Sequence, residues 1–137
     1  MLMPKKVKYR KAHKGVFPSG HVATDKITLA FGGYGLKSLG SGWISSQQIE
    51  SARRVLTRYI KRGGKIWIRI FPDRPITKKG NEVGMGAGKG GVDHFVAVVR
   101  PGMMLFEMDG IPAVSAKEAL QSAAYKIATP CKFVSRT

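Results

Sequence analysis

The most regular spacing of apolar and polar positions lies between residues 46 and 62. At 100° per residue, Ile49, Ala52, Val55, Leu56, Tyr59 and Ile60 share one arc of about 140°, the stripe of a helix that faces a core. Arg54, Arg58, Lys61 and Arg62 occupy the opposite arc. Ser45 followed by Gln48 reads as a capping box, in which hydroxyl and amide each satisfy a backbone N–H, and Ile44 with Ile49 forms the hydrophobic staple around it. Gly63 and Gly64 offer the left-handed conformation that closes a helix. A second helical spacing covers residues 116–127, with Ser115 and Glu118 as caps and Ala116, Ala119, Leu120, Ala123 and Ile127 as the buried stripe.

Other segments change period. Residues 65–71 alternate, with Ile66, Ile68 and Ile70 on one face and Lys65, Trp67, Arg69 and Phe71 on the other. The second face mixes rings with cations and could serve as an RNA platform, but the expectation for Trp67 and Phe71 is burial beneath another layer. Pro72-Asp-Arg-Pro75 predicts a turn, and residues 93–99 and 104–108 predict two strands joined through Pro101-Gly102. Residues 131–134 could close the sheet as an edge strand. The expected fold is α+β, a mostly antiparallel sheet with two helices packed on it. Neither a repeat nor a linker interrupts the 137 residues, so one domain spanning 1–137 is expected, with an extended basic arm over 1–15 and a flexible glycine-rich loop over 80–91.

Charge narrows the partners. The chain carries 24 Lys and Arg against 8 Asp and Glu, a formal net charge of +16. Such a surplus repels itself and is best accommodated by a polyanion. No apolar run approaches the roughly 18 residues of a membrane helix, no secretory signal is visible, and neither end carries a lipidation motif. A membrane partner is therefore not expected. The single cysteine, Cys131, excludes an internal disulfide and a cysteine-rich zinc site, and fits a reducing compartment. Nucleic acid is the leading partner, with a solvated basic surface as the alternative.

The cations are concentrated. Lys5, Lys6, Lys8, Arg10, Lys11 and Lys14 form an arm without an acid and with too little apolar surface to fold alone, while Tyr9 and His13 add rings that can stack on unpaired bases. Glu50 is the only acid of the first helix, which leaves its arginine face short of stabilising pairs and suited to phosphate. Gly80, Gly84, Gly86, Gly88, Gly90 and Gly91 make the third region, where Met85 and Lys89 offer one soft apolar contact and one cation.

Catalysis finds little support. Gly86, Gly88 and Gly91 match the dinucleotide fingerprint in letters, but a β-rich run follows where the fingerprint must open a helix. A P-loop fails as well, since Val83 and Gly90 stand where its first glycine and its Ser or Thr belong. His13, His21 and His94 have no metal spacing, and His94 is expected to be packed or hydrogen-bonded. No cofactor, small-molecule substrate or enzymatic activity is expected. The alternatives are a phosphate- or nucleotide-binding enzyme using the glycine loop, and a generic basic DNA-binding protein.

Five stretches carry a resemblance: Lys8-Tyr-Arg-Lys-Ala-His-Lys-Gly15, Phe31-Gly-Gly-Tyr-Gly-Leu-Lys37, Gln48-Ile-Glu-Ser-Ala-Arg-Arg54, residues 64–77 and Met85-Gly-Ala-Gly-Lys-Gly90. In this order they resemble the bacterial form of large-subunit ribosomal protein L-sixteen across nearly the whole chain. The resemblance implies an α/β-hammerhead type of fold and a structural role in the large subunit. It implies binding to large-subunit rRNA near the aminoacyl-tRNA site, contacts with neighbouring ribosomal proteins, and a part in late subunit assembly. It also implies a loop that points toward the peptidyl-transferase centre and tRNA. Cytoplasmic ribosomes of a bacterium are the expected location, with an organelle-encoded protein as the alternative. The family's RNA-binding arm matches Lys8, Arg10, Lys11, His13 and Lys14, and its basic helix matches Arg53, Arg54, Arg58, Lys61 and Arg62. Its functional-centre loop matches Met85, Gly86, Gly88, Lys89 and Gly90. Gly84 and Ala87 stand where the family commonly carries Arg and Lys, so two loop charges are absent or replaced, and a family modification of that arginine cannot occur here. Ser41 and Trp43 stand in a segment usually richer in arginine, and residues 16–30 are slightly lengthened.

Overall fold

Alternation and capping produce seven strands and two helices among the described residues: β1 (Tyr34–Ser38), β2 (Gly42–Ser45), α1 (Ser46–Tyr59), β3 (Lys65–Ile68), β4 (Arg74–Lys78), β5 (Gly91–Val99), β6 (Met104–Asp109), α2 (Ala113–Ala124) and β7 (Cys131–Ser135). The computed structural model describes residues 2–6, 8–11, 22–23, 26–60, 63–78, 86 and 88–136. The fold is α+β with antiparallel pairing throughout the described strands, but the strands form two sheets and not one. A four-stranded sheet has the order β3-β6-β1-β7, and a three-stranded sheet the order β2-β5-β4. Pro101-Gly102 is where the chain passes from one to the other: Gly102 N donates to Ser38 O at 2.7 Å and Ser38 N to Met103 O at 2.8 Å. The two strands predicted on either side of this dipeptide therefore belong to different sheets.

Helix α1 starts as its capping residues dictate, with the Ser45 hydroxyl accepting from Gln48 N at 3.3 Å. The reciprocal half of the box is absent. Ser45 is already paired in β2 opposite Val96, and the buried Gln48 Oε1 has no hydrogen-bond partner. Ile49, Ala52 and Leu56 are buried from the predicted stripe, and Ile44 joins them in the core. Tyr59 is half-exposed and its hydroxyl lies 3.4 Å from Ser122 Oγ. The helix ends three residues early. Ile60 turns extended (φ −86°, ψ 103°) and packs on the core, so an apolar anchor and not a glycine cap sets the exit.

Helix α2 begins at Ala113 after Pro112, whose backbone supplies the cap without a side-chain bond, and Ala116 N donates to Pro112 O at 3.0 Å. Ser115 thus lies inside the first turn, and Ile127 is buried in the turns beyond the helix end. Small alanines at Ala116, Ala119 and Ala123 let α2 approach α1, β1 and β7 closely. Cys131–Ser135 is the predicted edge strand, paired with β1.

Strand β6 is the centre of the structure. Met104, Leu105, Phe106, Glu107 and Met108 are all buried, because residues 26–32 cover the sheet face opposite the helices. That crossing is close enough to demand glycine: a Cβ on Gly32 would lie 2.5 Å from Met108 O. Phe71, expected to be buried, is 45% exposed, and Arg74–Lys78 forms a strand in place of the turn extended over Pro75. Pro75 sits on β4, at the edge of its sheet, where a missing donor is tolerated.

Candidate nucleic-acid interface

The described residues of the arm, 2–6 and 8–11, form no helix or strand, and contacts tie them to the body. Leu2 packs on the core, and Lys11 Nζ donates to Lys89 O at 2.8 Å. The second contact joins the arm to the return of the glycine loop, two of the three cationic regions of the sequence. Lys5, Lys6, Lys8 and Arg10 are exposed. Tyr9 is 72% exposed with the Lys8 ammonium 5.5 Å from its ring centroid, so a ring and a cation are offered together. Leu2, Met3 and Arg10 share a cleft of about 550 Å³ with the start of α1 and with Asp93, His94 and Phe95. His94 is hydrogen-bonded as expected, Nδ1 to Asp93 Oδ2 at 2.7 Å, but it is exposed and not packed.

On α1 the arginine face is less unpaired than its sequence suggests. Glu50 accepts two bonds from Arg53 and lies 3.5 Å from Arg54 Nε. The Arg53 hydrogen bond holds the Glu50 carboxyl below its ordinary range against a smaller upward push from burial, with the charges of Arg53 and Arg54 adding to the lowering. Arg54 nonetheless keeps 70% of its side chain exposed, and Arg58 is exposed. One carboxylate therefore serves two guanidiniums and leaves the helix face net positive.

In the loop, Gly86 and Gly88 adopt φ of +104° and +87°, the conformations that glycine takes without strain. Lys89 is exposed and Gly90 half-buried just before β5 begins. His13, Lys14, Lys61, Arg62 and Met85 lie outside the described residues. Among the described residues, no group of three or more His, Cys, Asp or Glu could hold a metal ion, and no helix is long and apolar enough to cross a membrane.

One polar cluster escaped the reading of the sequence. Glu107 is fully buried, and its Oε1 accepts from the backbone N–H groups of Ala30, Phe31 and Gly32 at 3.0, 2.8 and 2.9 Å. Its Oε2 pairs with Arg69, whose guanidinium lies 5.4 Å from the Phe31 ring centroid. Phe31 in turn stacks on Trp67 at 5.9 Å with 17° between the rings. Arg69, on the mixed face of the strand pattern, is thus engaged by the protein itself. The signal was available: a lone acid inside the apolar run of residues 103–108 must be buried with partners.

With this geometry in place, comparison with known proteins is specific. The family model of Ribosomal protein L16p/L10e matches residues 4–134. The large ribosomal subunit protein uL16c of Cyanidium caldarium is 56% identical over 135 residues, which cover 98% of this chain and 95% of that protein.

Proposed function

The chain belongs to the ribosomal protein L16p/L10e family and is a structural constituent of the large ribosomal subunit, and from that premise we propose which of its surfaces hold RNA and what they position. Association with rRNA and neighbouring ribosomal proteins follows from membership, and the role is structural, not enzymatic. The arm residues Lys5, Lys6, Lys8, Arg10, Lys11, His13 and Lys14 and the helix residues Arg53, Arg54, Arg58, Lys61 and Arg62 neutralise rRNA phosphates near the aminoacyl-tRNA site. The loop residues Met85, Gly86, Gly88, Lys89 and Gly90 reach toward tRNA and the peptidyl-transferase centre. Docking of this basic body supports late subunit assembly. The whole chain, 1–137, acts as one domain in this role.

The observation that supports the reading is the Lys11 to Lys89 contact, which brings the basic arm to the exposed base of the loop. Cations on such a surface release counterions when they meet phosphate. If about ten phosphates are contacted, log affinity for large-subunit rRNA falls with log salt at a slope of about −7 to −9. Filter-binding titrations of the full chain over a salt series test this, and a flat response overturns it.

A further inference from the structure

We infer that the cleft framed by Phe31 and Trp67 seats an unpaired RNA nucleobase. The inference rests on the chain being RNA-bound but concerns a site separate from the arm, helix and loop. The cleft, of about 420 Å³, is lined by Phe31, Gly63, Lys65, Trp67, Asp109 and Gly110.

Phe31 is 58% exposed, a poor position for a ring whose only task is packing. It is also fixed. Three successive backbone N–H groups, those of Ala30, Phe31 and Gly32, are held by the buried Glu107 carboxylate, so the ring is presented from a backbone that cannot readily withdraw. The ring also stacks on Trp67 and has the Arg69 guanidinium 5.4 Å from its centroid, and these contacts still leave it 58% exposed. Rings ordered before a ligand arrives lose little entropy on binding it, which is the property of a stacking platform.

The remaining lining residues suit a base better than an aliphatic side chain. Lys65 and Asp109 are direct partners across the β3–β6 pair and are both exposed, which puts a cation and an acceptor at one mouth. A base carries amino donors and ring acceptors along its edge, next to the flat face that stacks. Asp109 would accept from an exocyclic amino group, and Lys65 would reach the phosphate or a ring acceptor. Adenine, with a large ring system and an amino donor, is the natural probe.

The test uses the full chain with Trp43→Phe, which leaves Trp67 as the single tryptophan. Two probes of equal phosphate number are compared, an oligoadenylate hexamer and an abasic hexamer. The base-bearing probe should bind about five- to a hundred-fold more tightly and quench Trp67 emission. Phe31→Leu should lower that ratio several-fold while leaving the abasic affinity unchanged and the protein folded, and Phe31→Tyr should restore it. Equal affinity for the two probes, or a ratio unchanged by Phe31→Leu, overturns the inference and leaves the cleft to a protein side chain. Tyr9 of the arm can also stack on a base, so the cleft is read from the part of the ratio that Phe31→Leu removes in a Tyr9→Ala background, whereas loss of both affinities together would count against the basic arm and helix.

Discussion

Arg69 and Glu107 form an ion pair in which the carboxylate is fully buried and the guanidinium only 14% exposed. Arg69 is further fixed by its backbone, whose N–H donates to Leu105 O at 2.9 Å. The pair joins the segment after β3 to the central strand β6, and through the N–H groups of residues 30–32 it also fastens the chain that covers the sheet.

Glu107→Gln should be strongly destabilising. The amide keeps the volume but can present only one acceptor oxygen, so either Arg69 or the N–H groups of Ala30, Phe31 and Gly32 lose their partner. Breaking one member of a buried charge pair typically costs about 3–5 kcal/mol. Urea unfolding measures the loss, and a change below about 1 kcal/mol would show that the cluster does not hold this layer.

Acid should expose the same group. Burial pushes the Glu107 carboxyl up, but the Gly32 N–H, the Arg69 guanidinium and the Phe31 N–H together outweigh it and hold the folded value below the ordinary 4.5. A depressed folded value contributes stability that is present in full above the unfolded value and is lost as pH falls through the folded one. Unfolding free energy should therefore decline on acidification from about pH 4.5 downward. The decline should be shallower in Glu107→Gln, and parallel curves for the two proteins would contradict the assignment.

Arg54→Ala combined with Arg58→Ala should separate binding from folding. Both side chains are exposed on α1, whereas Arg53 is held by Glu50 and would report on that pair as well. If each contacts one phosphate, the salt slope for rRNA binding becomes less negative by about 1.4–1.8. Thermal unfolding should stay nearly unchanged. A collapsed fold would instead make these residues part of the packing.

Much of the architecture was legible because it is local. The α1 stripe from Ile49 to Leu56 follows from helical spacing, and the edge strand expected at residues 131–134 is observed over Cys131–Ser135. Helix ends were less legible. Ile60 exits α1 because it packs on the core, and Pro112 starts α2 through its backbone, and neither reason is written in the nearest polar letters. The sheet division was hidden as well, since alternation gives a strand its faces but not its neighbours. Of the candidate site, the exposed cations of the arm and α1 were readable from charge. The Lys11 to Lys89 contact, 78 residues apart, was not.

The sequence by itself determined the basic surplus, the two amphipathic helices, the period of the strands and the family, because these are properties of neighbours along the chain. Only the tertiary structure decided that Glu50 is shared by two arginines, that Arg69 turns inward to a buried carboxylate, and that Phe31 is held at the surface beside Trp67. The physical reason is that a charge's role depends on the dielectric and the partners around it, and those are supplied by residues far away in sequence.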